Sequence, residues 1–439
     1  MADPPDLPDP PDLRDLAAPA ELPASAGLPS PAELDAADPL RAFQDRFRPL
    51  PPGLINLDGN SLGQLPADTP VRIAHLLERE WGERLIRAWE ERWTELPLQV
   101  GDRLGEHLLG AAPRTTVIAD STTVCFYKLA AAALQVRPDR PEIITDSSNF
   151  PTDRYVLEGL AAAHGRRITW IEPDPQAGPT PDQVADVISD RTALVTLSHV
   201  DYRSAHIADL ERITATAHDA GALVLWDLSH SAGALPVGLD DHHVDLAVGC
   251  TYKYLNGGPG APAFLYVREA LQAGLRQPIW GWWGRRDRFG MAAGYDAAPG
   301  LTGMLSGTPP VLGLTASAAG IDLSIEAGID AIRAKSTRLT EYAIALTDAR
   351  LASHGVDVGS PRDPDRRGSH VALVHPRARD LARQLIDREV LVDFREPDVI
   401  RLGLSPLTTS FTHVHDALER LHDILTGTHG PSSTIAPAP

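Results

Sequence analysis

The chain has 439 residues, 43% hydrophobic and 23% charged, with a formal net charge of −19. That length exceeds what one hydrophobic core usually organises, so two lobes are expected. The acidity argues against nucleic-acid binding, because a phosphate backbone would be repelled over most of the surface, yet it leaves room for a small anion in a local positive pocket. Two cysteines, Cys125 and Cys250, make neither a disulfide framework nor a multi-cysteine zinc site, and they fit a reducing, cytoplasmic home. No apolar run has spanning length and the N-terminus carries no signal-type apolar core, which sets membrane and secretion readings aside.

Residues 1–35 are rich in Pro, Asp and Ala. Proline removes amide donors and little here can be buried, so a flexible tail is expected, with order beginning near "PLRAFQDRF". Residues 36–70 are read as a segment joining the small domain. Residues 71–315 form the large domain, starting with a helical stretch "PVRIAHLLEREWGERLIRAWEERW". Short apolar runs follow: "EIITD", "RITWIEP", "ALVTLSHV", "ALVLWDLS", "DLAVGCT" and "PAFLYV". Continuous apolar strands interleaved with helices indicate an α/β fold with a mostly parallel sheet covered on both faces. Residues 316–430 are read as a smaller α/β domain, with long helices and the runs "HVALVHP", "VLVDFRE" and "VIRLGLSP"; residues 431–439 are read as a second tail.

In open α/β sheets, ligands collect beyond the carboxyl ends of the strands. "TVIADSTTVCFYKLAAAAL" passes from a strand through Ser121, Thr122 and Thr123 into an Ala-rich helix, where free amides and hydroxyls suit an anion. "ITDSSNFPTDRY" brings Asp153 after a strand, and "VTLSHVDYRS" brings Ser198. "LVLWDLSH" ends in Asp227 with His230 three residues on; "DLAVGCTYK" ends in Lys253, followed at once by "YLNGGPG". Together these are an anion cradle, an acid and a strand-end lysine, which are the three things pyridoxal phosphate requires. The lysine forms a Schiff base with its aldehyde, and the carboxylate keeps the pyridine nitrogen protonated. At about 3 Å and an effective dielectric of about 20, that ion pair is worth roughly 5 kcal/mol before desolvation.

Each feature has a plainer explanation. A strand-end aspartate often caps a turn, most lysines are solvated, and Ser-Thr-Thr is commonly an ordinary N-cap. "DDHH" at 240–243 alternates faces if extended, so it is read as a polar loop, with no metal. "GGPGAP" matches neither nucleotide-loop pattern. "WGWWG" places three of the eight tryptophans within four residues, equally compatible with core packing and with a ligand wall. Arg401 could pair with a nearby acid such as Asp398. The weight lies in the ordered set.

"LVLWDLSHSAGALPV" followed by "AVGCTYKYLNGGPGAPAFLYV" resembles kynureninase, a pyridoxal-phosphate enzyme of the aminotransferase-like fold. The resemblance extends to "INLDGNSLGQLP", "EWGERLIRAWEE", "ADSTTV", "NFPTDRY", "LSHVDYRS", "WGWWGR", "GTPPVL" and "IRLGLSPLTTSF", covering about residues 40–425. It implies an aspartate-aminotransferase-like large domain with a seven-stranded type of sheet and a smaller C-terminal domain. It implies Lys253 as the Schiff-base lysine and Asp227 as partner of the ring nitrogen, with Thr122, Thr123, Ser198, His230 and Tyr252 around ring and phosphate. Phe150 would stack on the ring, with Asp153 beside it near the 3-hydroxyl. Trp282 and Thr308 would serve the phosphate of a partner subunit in a homodimer. Arg401 would clamp the substrate α-carboxylate, and Trp283 and Trp89 would border its aromatic ring. The implied reaction is hydrolytic cleavage of kynurenine, or its 3-hydroxy form, to an anthranilate and alanine, with Lys253 moving the Cα proton and Tyr252 as a candidate proton donor.

Two departures from the family pattern stand out: Cys125 where Asn is common, and Gly307-Thr308 before the paired prolines where some members carry Ser-Asn. Three rivals remain at this level. A cysteine desulfurase would need a nucleophilic cysteine toward the C-terminus, where this chain has none beyond Cys250. An aminotransferase would use the same lysine, acid and arginine. A catalytically silent pyridoxal-phosphate binder would keep the fold alone.

Overall fold

A computed structural model describes residues 28–428; the expected tail 431–439 and all but the last residues of the expected tail 1–35 lie outside the described residues. Order begins earlier than composition implies. Pro31–Ala36 is helical, Leu34 is buried, and the Asp35 carboxylate accepts hydrogen bonds from Phe411 N (2.7 Å), Thr412 N (3.1 Å) and Thr412 Oγ1 (2.6 Å). The expected start near residue 36 is thereby corrected. Both partners of this short helix come from the far end of the chain, which local composition cannot register. The next strand, Ile55–Asn56 (β1), leads into "DGNSLG".

The long helix expected over 70–93 is broken. Thr69–His75 is α-helical, wider turns follow, and Leu85 adopts φ +52°. Leu85 and Ile86 are exposed, so little burial holds a continuous helix together there.

Seven strands then build the main sheet: Thr116–Ala119 (β2), Glu142–Asp146 (β3), Arg167–Ile171 (β4), Thr192–Ser198 (β5), Leu223–Asp227 (β6), Leu246–Gly249 (β7) and Ala263–Val267 (β8). Their spatial order is β2-β8-β7-β6-β5-β3-β4. β8 runs antiparallel to both neighbours, and the remaining pairings are parallel. The apolar strands are buried throughout, while edge strand β4 is half-exposed, as burial on two faces requires. The helix Thr122–Gln135 lies on the sheet through its buried Ala130–Ala133 run. Register sets Ser198 beside Asp227 and Asp227 beside Val248, so polar strand ends gather at one edge.

Helix Val311–Ala327 packs Leu314, Ala318 and Ile321 into the core of the large sheet. The boundary expected at 315/316 therefore cuts a helix that belongs to the large body. The chain leaves that body at Gly328 (φ +77°), where the next helix, Ile329–Arg350, departs at 84°. Beyond it lie Asp357–Val358 (β9), His370–Val374 (β10), Val390–Leu391 (β11), Asp393–Arg395 (β12) and Val399–Gly403 (β13). The small sheet runs β12-β13-β10-β9, antiparallel, and β1 pairs in parallel with β11. Leu34, Ile55 and Leu57 share the core of this second body, and the buried ion pair Lys335–Asp38 (2.6 Å) adds a polar tie. Among the described residues, no single helix is long and apolar enough to cross a membrane.

Asp35 satisfies amide donors at the start of helix Phe411–Thr426, a cap worth about 1–2 kcal/mol. Asp35→Ala is expected to lower stability by that amount in chemical denaturation while leaving the large-body site intact; an unchanged midpoint would refute the cap.

Candidate active site

A cavity of about 240 Å³ opens at the carboxyl ends of β3, β5, β6 and β7. Nine sequence-expected residues line it: Thr122, Thr123, Phe150, Asp153, Ser198, Asp227, His230, Tyr252 and Lys253. They come from five separate stretches. The sheet brings them together, because every one lies at or just beyond the carboxyl end of a strand.

At one end, helix Thr122–Gln135 begins. Ser121 caps it by accepting from Val124 N (3.4 Å), which leaves the Thr122 and Thr123 hydroxyls and the helix's positive pole facing the cavity. Asn149 supports the floor: its Oδ1 accepts from Ser198 Oγ (2.7 Å) and from Phe150 N (2.8 Å). The Phe150 ring meets Tyr202 edge-on at 5.4 Å and lies 5.8 Å from the Lys253 ammonium.

Lys253 Nζ lies 3.0 Å from His230 Nε2. Burial, then the charge of Lys253 and of the neighbouring His370 and Arg401, holds His230 well below the usual histidine range. It is therefore neutral at pH 7 and can accept a hydrogen bond from the lysine. Burial, with the Cys250 thiol beside it, pushes the Tyr252 phenol up, so it remains a proton carrier. Burial, then the charge and hydrogen bonding of Asp227, raises Asp153 well above an ordinary aspartate. Asp153 thus faces Asp227 itself, the acid expected at the ring nitrogen, whereas the resemblance put it near the 3-hydroxyl. One Asp153 oxygen is buried without a hydrogen-bond partner. Asp227 is fixed from behind by Ser229 N, which donates to its Oδ1 at 2.7 Å.

The N-terminal segment closes the back of the site. Gly63 N donates to the Tyr252 carbonyl at 2.8 Å, and a Cβ on Gly63 would collide with the Lys253 carbonyl and with Asn256. "DGNSLG" is thus more than a turn: its last glycine permits a backbone approach that any side chain would block.

Five expected residues stay outside this cavity. Arg401 is buried, and its guanidinium is engaged by Asp393 (Nε to Oδ1, 2.7 Å, and Nη2 to Oδ2), by the Tyr202 carbonyl (2.5 Å) and by Ser61 Oγ (3.2 Å). The acid it pairs with is Asp393, not Asp398. Burial opposes ionisation of Asp393, but the hydrogen bond and charge of Arg401, with Arg395, hold it below the ordinary range. Trp283 is 1% exposed in the large-body core and packs 4.8 Å from Trp89. Within one chain it presents no face to a ligand, contrary to expectation. Trp89 and Thr308 border a separate apolar cavity of about 380 Å³ with Trp81, Trp93 and Pro310. Trp282 is partly exposed.

Thr152, Val200, Tyr202 and Ser229 also line the main cavity. Sequence reasoning passed over them, although each sits within a motif it quoted. His370, buried with both ring nitrogens unpartnered and 5.4 Å from His230, was missed because it lies on β10, in the second body. Cys125 is buried, its thiol donating to the Ala119 carbonyl at 3.3 Å, and burial pushes both Cys125 and Cys250 up from the usual thiol range. Neither is an available nucleophile, which removes the desulfurase chemistry.

Residues 332–421 match the family model "Kynureninase C-terminal domain". The chain is 42% identical over 397 residues to the kynureninase of Burkholderia pseudomallei (strain K96243), spanning 89% of this chain and 94% of that protein. It is 41% identical, with the same coverage, to the kynureninase of Pseudomonas fluorescens. Among solved structures, the apo cysteine desulfurase of Thermococcus onnurineus NA1 superposes with a TM-score of 0.74 at 20% identity, covering 92% of this chain and all of that one. A C-DES mutant carrying glycine covalently linked to its PLP cofactor gives 0.75 at 20% identity, over 85% and 97%. These two establish the fold, a class V aminotransferase-like architecture.

A carboxyl group whose pKa is raised on folding stabilises below its unfolded pKa and loses that contribution as pH rises through the folded value. Cofactor-free Asp153→Asn is therefore expected to melt above the cofactor-free parent at neutral pH, with the gap closing as pH falls into the ordinary aspartate range. A gap that does not change with pH in calorimetry would overturn the buried acid pair.

Proposed function

The chain belongs to the kynureninase family, hydrolases of carbon–carbon bonds, and from that premise we propose that the Lys253 cavity binds pyridoxal 5'-phosphate and performs the family reaction there. That reaction adds water across the Cβ–Cγ bond of L-kynurenine and releases anthranilate and L-alanine. The observation carrying the site assignment is the buried acid pair: one Asp153 oxygen has no hydrogen-bond partner, and burial with neighbouring Asp227 raises its carboxyl, where a protonated pyridine nitrogen would bring a cation. The dimensions agree, since about 240 Å³ is near the small end of ligand pockets, roughly 300 Å³ upward. When bound, the cofactor supplies an aldehyde for the substrate amine and a protonated ring that takes up the electron pair released at Cα.

The chain's residues do the rest. Thr122, Thr123 and their helix start hold the phosphate, with Ser198 and Phe150 bounding the ring. Asp227, with Asp153 beside it, keeps the ring nitrogen protonated. Lys253 takes the Cα proton, and His230 at 3.0 Å orients its amine. Tyr252, protonated by burial, is the donor for the carbon that becomes the alanine methyl group. The oxygen of the added water ends in the anthranilate carboxylate, so atoms balance.

Arg401 is proposed to receive the substrate carboxylate. A guanidinium has five N–H groups, and Asp393, Tyr202 and Ser61 account for four of them. The fifth is on Nη1, and with the Nη2 donor that Ser61 holds at 3.2 Å it would offer a carboxylate two donors once the serine is displaced. Asp393 keeps the plane of the fork fixed.

A homodimer in the cytoplasm completes the reading. Trp81, Ile86, Trp280, Phe289, Met291 and Leu312 are exposed, more apolar surface than solubility favours, and they lie in the same parts of the chain as Trp282 and Thr308. Those two would then serve the partner's phosphate, and Trp89 would border the partner's substrate.

Incubation with L-kynurenine is expected to yield anthranilate fluorescence; kynurenic acid instead would favour transamination, and no turnover would favour a silent binder. Lys253→Ala should lower kcat by about 10³-fold or more, and borohydride reduction followed by peptide mapping should label Lys253. Label at any other position would overturn the assignment. Arg401→Lys should raise KM well above its effect on kcat, since one point charge replaces a fork; equal changes in both would remove Arg401 from substrate binding.

A further inference from the structure

Lys128 has no part in the chemistry above, and it is the most completely buried lysine among the described residues, at 0% exposure. It lies on helix Thr122–Gln135, whose start forms the anion cradle. Its ammonium donates to Asp120 Oδ2 at 2.5 Å and to the Met304 carbonyl at 2.8 Å. Asp120 is the residue that turns the chain from β2 into the cradle. It does so at φ +40°, a region that non-glycine residues other than Asn and Asp rarely occupy. Its own carbonyl accepts from Ala263 N at 2.9 Å, which clamps the turn to β8. Met304 ends the short helix Gly300–Met304, from which the chain continues through Ser306, whose carbonyl accepts from Trp283 N at 3.1 Å, to Thr308.

One ammonium thus joins the turn before the cradle to the segment bearing Thr308. It also offsets a carboxylate two residues from Thr122. Without it, that carboxylate would stand partly buried and uncompensated beside a phosphate dianion.

We propose that Lys128 is a positioning residue for the cofactor phosphate, neutralising Asp120 and holding the Asp120 turn so that the Thr122–Thr123 cradle accepts a dianion. The inference rests on the pyridoxal-phosphate reading above. It concerns the phosphate alone, so the aldehyde and ring should be indifferent to it.

The test titrates cofactor-free protein with pyridoxal phosphate and, separately, with pyridoxal, following the yellow absorbance that forms at Lys253. Lys128→Met is expected to weaken pyridoxal phosphate binding roughly tenfold or more, since a nearby unscreened charge acts strongly at low dielectric. Pyridoxal binding should change by less than about twofold, because that ligand carries no phosphate charge for Asp120 to repel. Asp120→Asn combined with Lys128→Met should restore phosphate-ligand affinity, because both partners are then neutral and Asn keeps the left-handed turn. Equal losses for the two ligands, no loss, or failure of the double variant to recover would each overturn the proposal. If Lys128→Met does not fold, Asp120→Asn alone decides: its affinity for pyridoxal phosphate should equal or exceed the parent's, and a decrease would overturn the proposal. A parent protein that takes up neither ligand would instead sink the cofactor reading beneath it.

Discussion

Two buried carboxyl groups facing each other, Asp153 and Asp227, are the constraint around which the large body is arranged. Like charges in a low-dielectric interior are costly unless a proton or a cation lies between them. Asp153 is driven toward its neutral form by exactly these causes, burial first and its neighbour second. Such a pair at the ends of a parallel sheet suits the protonated heterocycle proposed above. The remaining groups are disposed accordingly, with an anion-binding helix start at one end, the amine at Lys253 and an aromatic ring at Phe150.

The second body contributes by proximity rather than by lining the cavity. Arg401 reaches across from β13 to the Tyr202 carbonyl at 2.5 Å, and Ser61, from the N-terminal segment, meets it on the other side. A Cβ on Gly403 would collide with Asn60, so strand β13 and "DGNSLG" sit backbone to backbone. Through Gly63 the same segment touches Tyr252. The residues proposed for substrate recognition, Arg401, and for proton transfer, Lys253, are therefore joined by a few residues of one loop. A shift of the small body would be felt at both.

Much of the site was readable before any coordinates. Asp227 ends one apolar strand, Lys253 follows another four residues on, and Ser-Thr-Thr opens an Ala-rich helix; each is a local pattern with a local cause. The contact between Asp153 and Asp227 was not readable, because they lie 74 positions apart and meet only through the register of β3, β5 and β6. Nor was the pairing of Arg401 with Asp393, where a nearer acid in sequence, Asp398, was the natural choice. An antiparallel pair puts Asp393 directly opposite Arg401, and register outweighs nearness along the chain. Trp283 shows the converse: the tryptophan cluster was equally compatible with core packing and with a ligand wall, and its last member is core.

By itself, the sequence determined the α/β class, the strands of the large sheet, the family and the cofactor-type set of residues, since periodicity, strand ends and motifs are short-range properties of the chain. Tertiary structure alone decided that residues Pro31–Ala36 form a packed helix, that the large body extends to Gly328, that β8 runs against its neighbours, and which acids face which cations. Those outcomes depend on how separate segments pair and pack, and no local pattern encodes the register in which such segments meet.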